Sequence, residues 1–174
     1  AITHFQASDM ILHVHSDASY LSETKAHSCA SSYFYLSTAP VDPTIAPTAA
    51  TPLPPHNGPI LVHSSIMPTV LSSATEAETG ALFYNAKEAT ILHTTLLELG
   101  YPQPLTPIQT NNLCAISIIN DMVHQHQSKA MDMRFYWVRN RVSRGDFHVF
   151  WRRGTDNLAD YFTKHHSPAH HYLM

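Results

Sequence analysis

Three carboxylates and one amide stand where this chain could do chemistry: Asp17, Glu78, Asn111 and Asp160. Asp17 follows Leu12-His13-Val14-His15-Ser16, and Glu78 closes Ser72-Ser73-Ala74-Thr75-Glu76-Ala77-Glu78. Asn111 follows Ile108-Gln109-Thr110, and Asp160 ends Asp156-Asn157-Leu158-Ala159-Asp160. Acids this far apart in sequence, each bordering a hydrophobic element, suit a two-metal phosphoryl-transfer site. Two hard cations about 3.5–4 Å apart need oxygen ligands drawn from several elements. An amide at the third station takes one charge away from such a site. Read locally, each residue also has a plainer role: Asp17 as a turn residue, Glu76 and Glu78 as acids favoured by a helix dipole. Glu76 and Glu78 lie two apart on a helix and point in different directions, so only one can face a sheet. Asp156 and Asp160 form a similar pair, of which Asp156 suits a helix N-cap.

The elements that must position these residues follow from periodicity. Residues 10–16 read as a strand leading into Asp17, and 32–37, rich in aromatics, as its neighbour. Residues 39–59 carry seven prolines and read as an extended surface excursion, closed by an Asn57-Gly58 turn before the strand 60–64. Apolar spacing predicts a helix from about Ser73 to Leu99, capped by Ser72-Ser73 and stopped by Gly100. A strand at 106–110, helices at about 112–123 and 131–142, a strand at 147–151 and a last helix through Leu158, Tyr161 and Phe162 complete the order. Thr155 or Asp156 would cap that last helix. A meander followed by alternating strands and helices implies an α/β fold: a five-stranded mixed sheet, three antiparallel strands then parallel ones, with helices on both faces.

At 174 residues the chain reads as one domain, 1–174, with the proline-rich insertion at about 39–59 and a flexible histidine-rich tail at about 165–174. No run approaches the roughly 18–20 apolar residues of a membrane span, and no signal-like segment opens the chain, so no membrane partner and an intracellular, non-secreted location are expected. Two cysteines, Cys29 and Cys114, make no disulfide framework. The start at Ala1 fits a piece of a longer polyprotein. Net charge is −3, but eight of the ten Lys and Arg residues follow residue 128, leaving that part +4 and the rest −7. The asymmetry points to an electropositive face for a polyanion beside an acidic pocket for cations, although a helix with solvated arginines gives the same count. The fourteen histidines show no zinc-ligand spacing. A serine hydrolase is disfavoured, because no Gly-x-Ser-x-Gly elbow is present.

Five blocks carry a resemblance: Ser16-Asp17-Ala18-Ser19, Leu71 to Glu78, Asn111-Asn112-Leu113-Cys114-Ala115-Ile116, Lys129 to Arg134, and Leu158-Ala159-Asp160-Tyr161-Phe162-Thr163-Lys164. Together they resemble the ribonuclease H domain of copia-type retrotransposon polyproteins, in register from residue 10 to 164. The resemblance implies a ribonuclease H-like fold and a Mg²⁺- or Mn²⁺-dependent endonuclease that cuts the RNA strand of RNA–DNA hybrids. It selects Glu78 over Glu76 and Asp160 over Asp156. Asp17 would bridge two metals, with Glu78 and Asp160 each holding one and Asn111 at the remaining ligand station. Lys129, Arg134, Arg152 and Arg153 would contact phosphates, which makes binding salt-dependent. A reverse transcriptase domain upstream in the parent polyprotein, and a location in cytoplasm, virus-like particle or nucleus, go with that family.

The chain departs from the family pattern at Asn111, where the family has Asp, and at Ser28-Cys29-Ala30-Ser31-Ser32, where similar domains carry glycine-rich sequence. One neutral oxygen in place of a ligand carboxylate should lower the rate by orders of magnitude, since even changes around the ligands cost about 10–100-fold. Weak or absent cleavage is therefore expected, and a non-catalytic hybrid- or duplex-binding domain from a decayed or domesticated retroelement is the alternative.

Overall fold

The strand that carries Asp17 is buried on both sides, and the rest of the chain is arranged around that fact. This strand, β1 (Met10–Ser19), pairs antiparallel with β2 (Cys29–Thr38), which pairs antiparallel with β3 (Leu61–Ile66). On its other edge β1 pairs parallel with β4 (Thr106–Thr110), and β4 pairs parallel with β5 (Phe147–Trp151). The sheet order is β3-β2-β1-β4-β5, the mixed five-stranded sheet expected from the sequence. The structure, a computed structural model, describes residues 10–38, 51–52, 54–55, 58–120, 129–164 and 166–171; the side chains of 129–132 and 170 fall outside it. Most of the proline-rich segment, Asn57 of the expected turn, and residues 121–123 at the end of the expected second helix lie outside the described residues.

Side chains alternate along β1, so Leu12, Val14 and Ser16 face one way and His13, His15 and Asp17 the other. The first face meets three helices: α1 (Ala74–Glu98), α2 (Leu113–Ile119) and α3 (Lys129–Ser143). Leu12, Val14, Phe34, Ile108 and Val149 of the sheet pack there against Leu82 and Ala86 of α1, Ile118 and Ile119 of α2, and Phe135 and Val138 of α3. Ser73 caps α1, its hydroxyl accepting from the Glu76 amide at 3.1 Å, while Glu76 reaches back to the Ser72 amide at 2.7 Å. At the other end Gly100 adopts φ +88°, its amide donates to Leu97 and the Tyr101 amide to Leu96, the paired closure that glycine permits.

Small residues let α1 approach the sheet where the chemistry is. Ala77 and Ala81 pack with Ala18 and Ala30, beneath Met67 and Leu71. A Cβ on Gly80 would lie 3.1 Å from Met67 Sδ, so even one methyl group is crowded there.

The second face departs from expectation. Instead of one capped helix, two short 3-10 segments follow β5, Gly154–Asp156 and Leu158–Phe162. The cap is Asn157, not Thr155 or Asp156: its Oδ1 accepts from the Ala159 amide at 3.1 Å, and its Nδ2 donates to the Ser16 carbonyl at 2.9 Å. Leu158, Ala159 and Phe162 lie against Tyr33 and Tyr35. The chain turns early because Asn157 is tied to β1, and the Leu158 amide donates to His15 Nδ1 at 3.0 Å. A four-residue helix, α4 (Pro168–His171), lies in the histidine-rich tail.

Asn157 thus pins the segment bearing Asp160 to the strand bearing Asp17. Replacing Asn157 by Ala leaves the buried Ser16 carbonyl without its donor, and urea denaturation should register a loss of about 1–3 kcal/mol. A variant as stable as the parent would show that this tie is incidental.

Candidate active site

Asp17 sits near the end of β1, opposite Ser31, and is 1 % exposed. Around it the fold gathers the other three residues singled out in the sequence. Asn111 follows the last residue of β4, and its Nδ2 donates to Asp17 Oδ1 at 3.0 Å. Its backbone is held as well, since Trp151 Nε1 donates to the Asn111 carbonyl at 3.1 Å. Asp160 stands mid-way along the second 3-10 segment. A Cβ placed on Gly154 would lie 3.4 Å from Asn111 Nδ2 and 3.9 Å from Asp160 Oδ1, so these two groups share the space above Gly154. Glu78, in the second turn of α1, is buried and accepts a hydrogen bond from the Ala18 amide. Glu76 instead serves the helix cap, so the two acids divide as their spacing requires.

Electrostatics shape the cluster. Burial, above all, pushes Glu78 up to about 8; the neighbouring Asp17 and Asp160 charges add to this, while the Ala18 amide and Lys164 oppose it. Its Oε2 is buried and meets no hydrogen-bond partner among the described residues. Burial also raises Asp17, an effect opposed first by the hydroxyl of Thr163 and then by Lys164 and Asn111. Thr163 Oγ1 donates to Asp17 Oδ2, and Lys164 Nζ bonds Asp160 Oδ1. Both Asp17 oxygens therefore already accept protein donors. Thr163 and Lys164 fall within the Leu158–Lys164 block that carries the resemblance, which assigns neither of them a role in the site. The Asp160–Lys164 spacing of four was the signal available.

As arranged, these residues do not fit a pair of divalent cations. Asn111 turns an NH₂ group, not an oxygen, toward Asp17, and Lys164 already bonds Asp160. Among the described residues no three His, Cys, Asp or Glu side chains are grouped to hold a metal ion.

The expected phosphate contacts separate. Arg152 is 5 % exposed and turned inward: its Nη2 donates to the Thr51 carbonyl at 2.7 Å, and its Nε lies 3.7 Å from Asp156. It is thereby engaged with the protein and not displayed to a polyanion. Arg153 is exposed. Arg134 lies over the Tyr84 and Phe83 rings, 5.5 and 6.0 Å from their centroids, and donates to Thr69 Oγ1 at 3.1 Å. The side chain of Lys129 falls outside the described residues.

The fold is ribonuclease H-like. Superposition on LC11-RNase H1 in complex with an RNA/DNA hybrid gives a TM-score of 0.55 at 11% identity, covering 87% of this chain and 92% of that one. The N-terminal RNase H domain of a Mycobacterium tuberculosis protein gives 0.54 at 11% identity, with 87% and 91% covered. The prototype foamy virus protease-reverse transcriptase gives 0.52 at 15% identity, covering 92% of this chain and 21% of that one. In sequence, 107 residues (62% of the chain) are 30% identical to the retrovirus-related Pol polyprotein from transposon TNT 1-94 of Nicotiana tabacum. The chain spans only 8% of that polyprotein's length. No family model matches. Fold and sequence match together bear out the resemblance to the ribonuclease H domain of copia-type Pol polyproteins.

The burial of Glu78 has a measurable signature. Raised from 4.5 to about 8, Glu78 keeps in the folded chain a proton that the unfolded chain releases, so its stabilisation is complete below about 4.5 and is lost as pH rises through about 8. His13 acts oppositely: burial lowers it from 6.5 to about 4, so its contribution is complete above 6.5 and lost as pH falls through about 4. The two oppose each other between 4.5 and 6.5, and above 6.5 the Glu78 decline stands clear of His13. In metal-free buffer, urea midpoints should fall from pH 6.5 to 8, and Glu78→Gln should flatten that slope. An unchanged slope in the variant would contradict the burial described.

Proposed function

We propose that this chain is a retroelement ribonuclease H domain that engages RNA–DNA hybrids, and whose hydrolysis of the RNA strand is strongly weakened. The observation that carries the reading is the convergence of Asp17, Glu78 and Asp160 in a ribonuclease H-like fold, with the Asn111 amide bonded to Asp17 where the resemblance calls for a carboxylate. Asp17, Glu78 and Asp160 are the acids assigned to catalysis, and Asn111 is the altered station. Magnesium or manganese is the cofactor assigned to any cleavage that persists. A fold neighbour whose structure holds an RNA/DNA hybrid supports the substrate class, as does the positive charge after residue 128. Hybrid recognition would rest on backbone shape and 2′-hydroxyls, with Arg153, Arg134 and Lys129 toward phosphates. The match to a Pol polyprotein supports a parent polyprotein around this domain; a reverse transcriptase domain upstream and an intracellular site of action belong to the same proposal.

A binding domain without hydrolysis is the second reading, favoured by the protein donors already present on both Asp17 oxygens. One pair of measurements separates the two. Gel shifts with an RNA–DNA hybrid should show binding that weakens with salt and is reduced by Arg153→Ala. Cleavage by the parent chain in Mg²⁺ should be weak or absent, and Asn111→Asp should raise it about tenfold or more. Binding without cleavage in both proteins would establish the second reading, and failure to bind would refute both.

A further inference from the structure

We infer that Lys164 is a built-in counter-cation of this acidic centre, bonded to Asp160 so that the centre closes on protein donors and a divalent ion enters only by displacing it. The inference rests on reading Asp17, Glu78 and Asp160 as a cation centre, and it concerns what regulates that centre. Three donors converge on the acids from three different residues. The Asn111 amide occupies Asp17 Oδ1, the Thr163 hydroxyl occupies Asp17 Oδ2, and the Lys164 ammonium occupies Asp160 Oδ1. Only the last of these brings a full positive charge.

The three donors differ in how readily they can leave. Thr163 is 8 % exposed, and its hydroxyl is held between Asp17 and the Asp160 carbonyl. The backbone of Asn111 is held where its carbonyl accepts from Trp151. Lys164 is the accessible member: its side chain is 55% exposed on a four-carbon stem, whereas Asp160 is 19% exposed. Swinging that stem into solvent frees an Asp160 oxygen beside the space above Gly154, without unpacking any element. An ordinary exposed ion pair would contribute little and would have no bearing on divalent ions. Here the acid partner is largely buried beside two further carboxylates, so a released centre is short of positive charge and takes up a cation in exchange. Lys164 is thus a positioning residue, acting through Asp160.

Thermal denaturation and Mn²⁺ calorimetry of the parent chain, Lys164→Met and Lys164→Arg, in chelator and in Mg²⁺ or Mn²⁺, test this without nucleic acid, so the outcome is separable from hybrid binding. The parent and Lys164→Arg should melt at the same temperature with or without divalent ion. Lys164→Met should melt several degrees lower in chelator, recover in Mn²⁺, and take up Mn²⁺ at least tenfold more tightly than the parent. The histidine-rich tail is identical in all three proteins, so it makes no difference between them. If Lys164→Met does not fold in chelator, refolding on Mn²⁺ addition supports the inference, and failure to refold overturns it. Equal Mn²⁺ affinity in parent and Lys164→Met, or an equal cation-induced shift in both, also overturns it.

Discussion

A single hydrogen bond, from the Asn111 amide to the Asp17 carboxylate, decides what this centre is. A carboxylate at that station would place a second negative charge against Asp17 in a buried pocket, a repulsion that a bound cation or a retained proton has to offset. An amide reverses the relation, because NH₂ groups donate and carboxylates accept. Asp17 thereby gains a permanent partner, and the repulsion that would demand a cation at this contact becomes an attraction. Thr163 completes the exchange on the other oxygen.

The architecture around this contact follows from the sheet and the elements packed on it. Parallel pairing of β1 and β4 sets Asp17 and Asn111 beside each other at neighbouring strand ends. The alanines of α1 bring Glu78 close from one face of the sheet, and Asn157 ties the Asp160 segment to the other. Each acid arrives from a separate element, so the cluster is a property of the whole fold. Glu78 Oε2, buried and with no hydrogen-bond partner among the described residues, marks where the centre is under-satisfied.

Much of this was legible in the sequence. Apolar periodicity and the Ser73 and Gly100 caps placed α1 almost to the residue, and strand 106–110 was read with its observed ends. The spacing of Glu76 and Glu78 forced a choice that the helix honours. Three matters escaped. The last helix was read from apolar spacing at Leu158, Tyr161 and Phe162, but tertiary ties from Asn157 and His15 hold the chain in a tight 3-10 turn. Arg152 looked like a surface cation because sequence shows charge and not direction; its guanidinium turns inward to a carbonyl of the proline-rich segment. The roles of Thr163 and Lys164 were hidden for the same reason, since both depend on partners whose positions only the fold supplies.

The side-chain amide of Asn111 offers the most direct test of the account. In a ¹⁵N-edited NMR spectrum its two protons can be assigned by their loss in Asn111→Asp. An amide bonded to Asp17 should give dispersed resonances that exchange slowly with solvent in metal-free buffer and hold their positions as Mg²⁺ is added. Resonances at random-coil positions, or ones that shift with Mg²⁺ as though the amide were giving way to a metal, would contradict the closed centre described here.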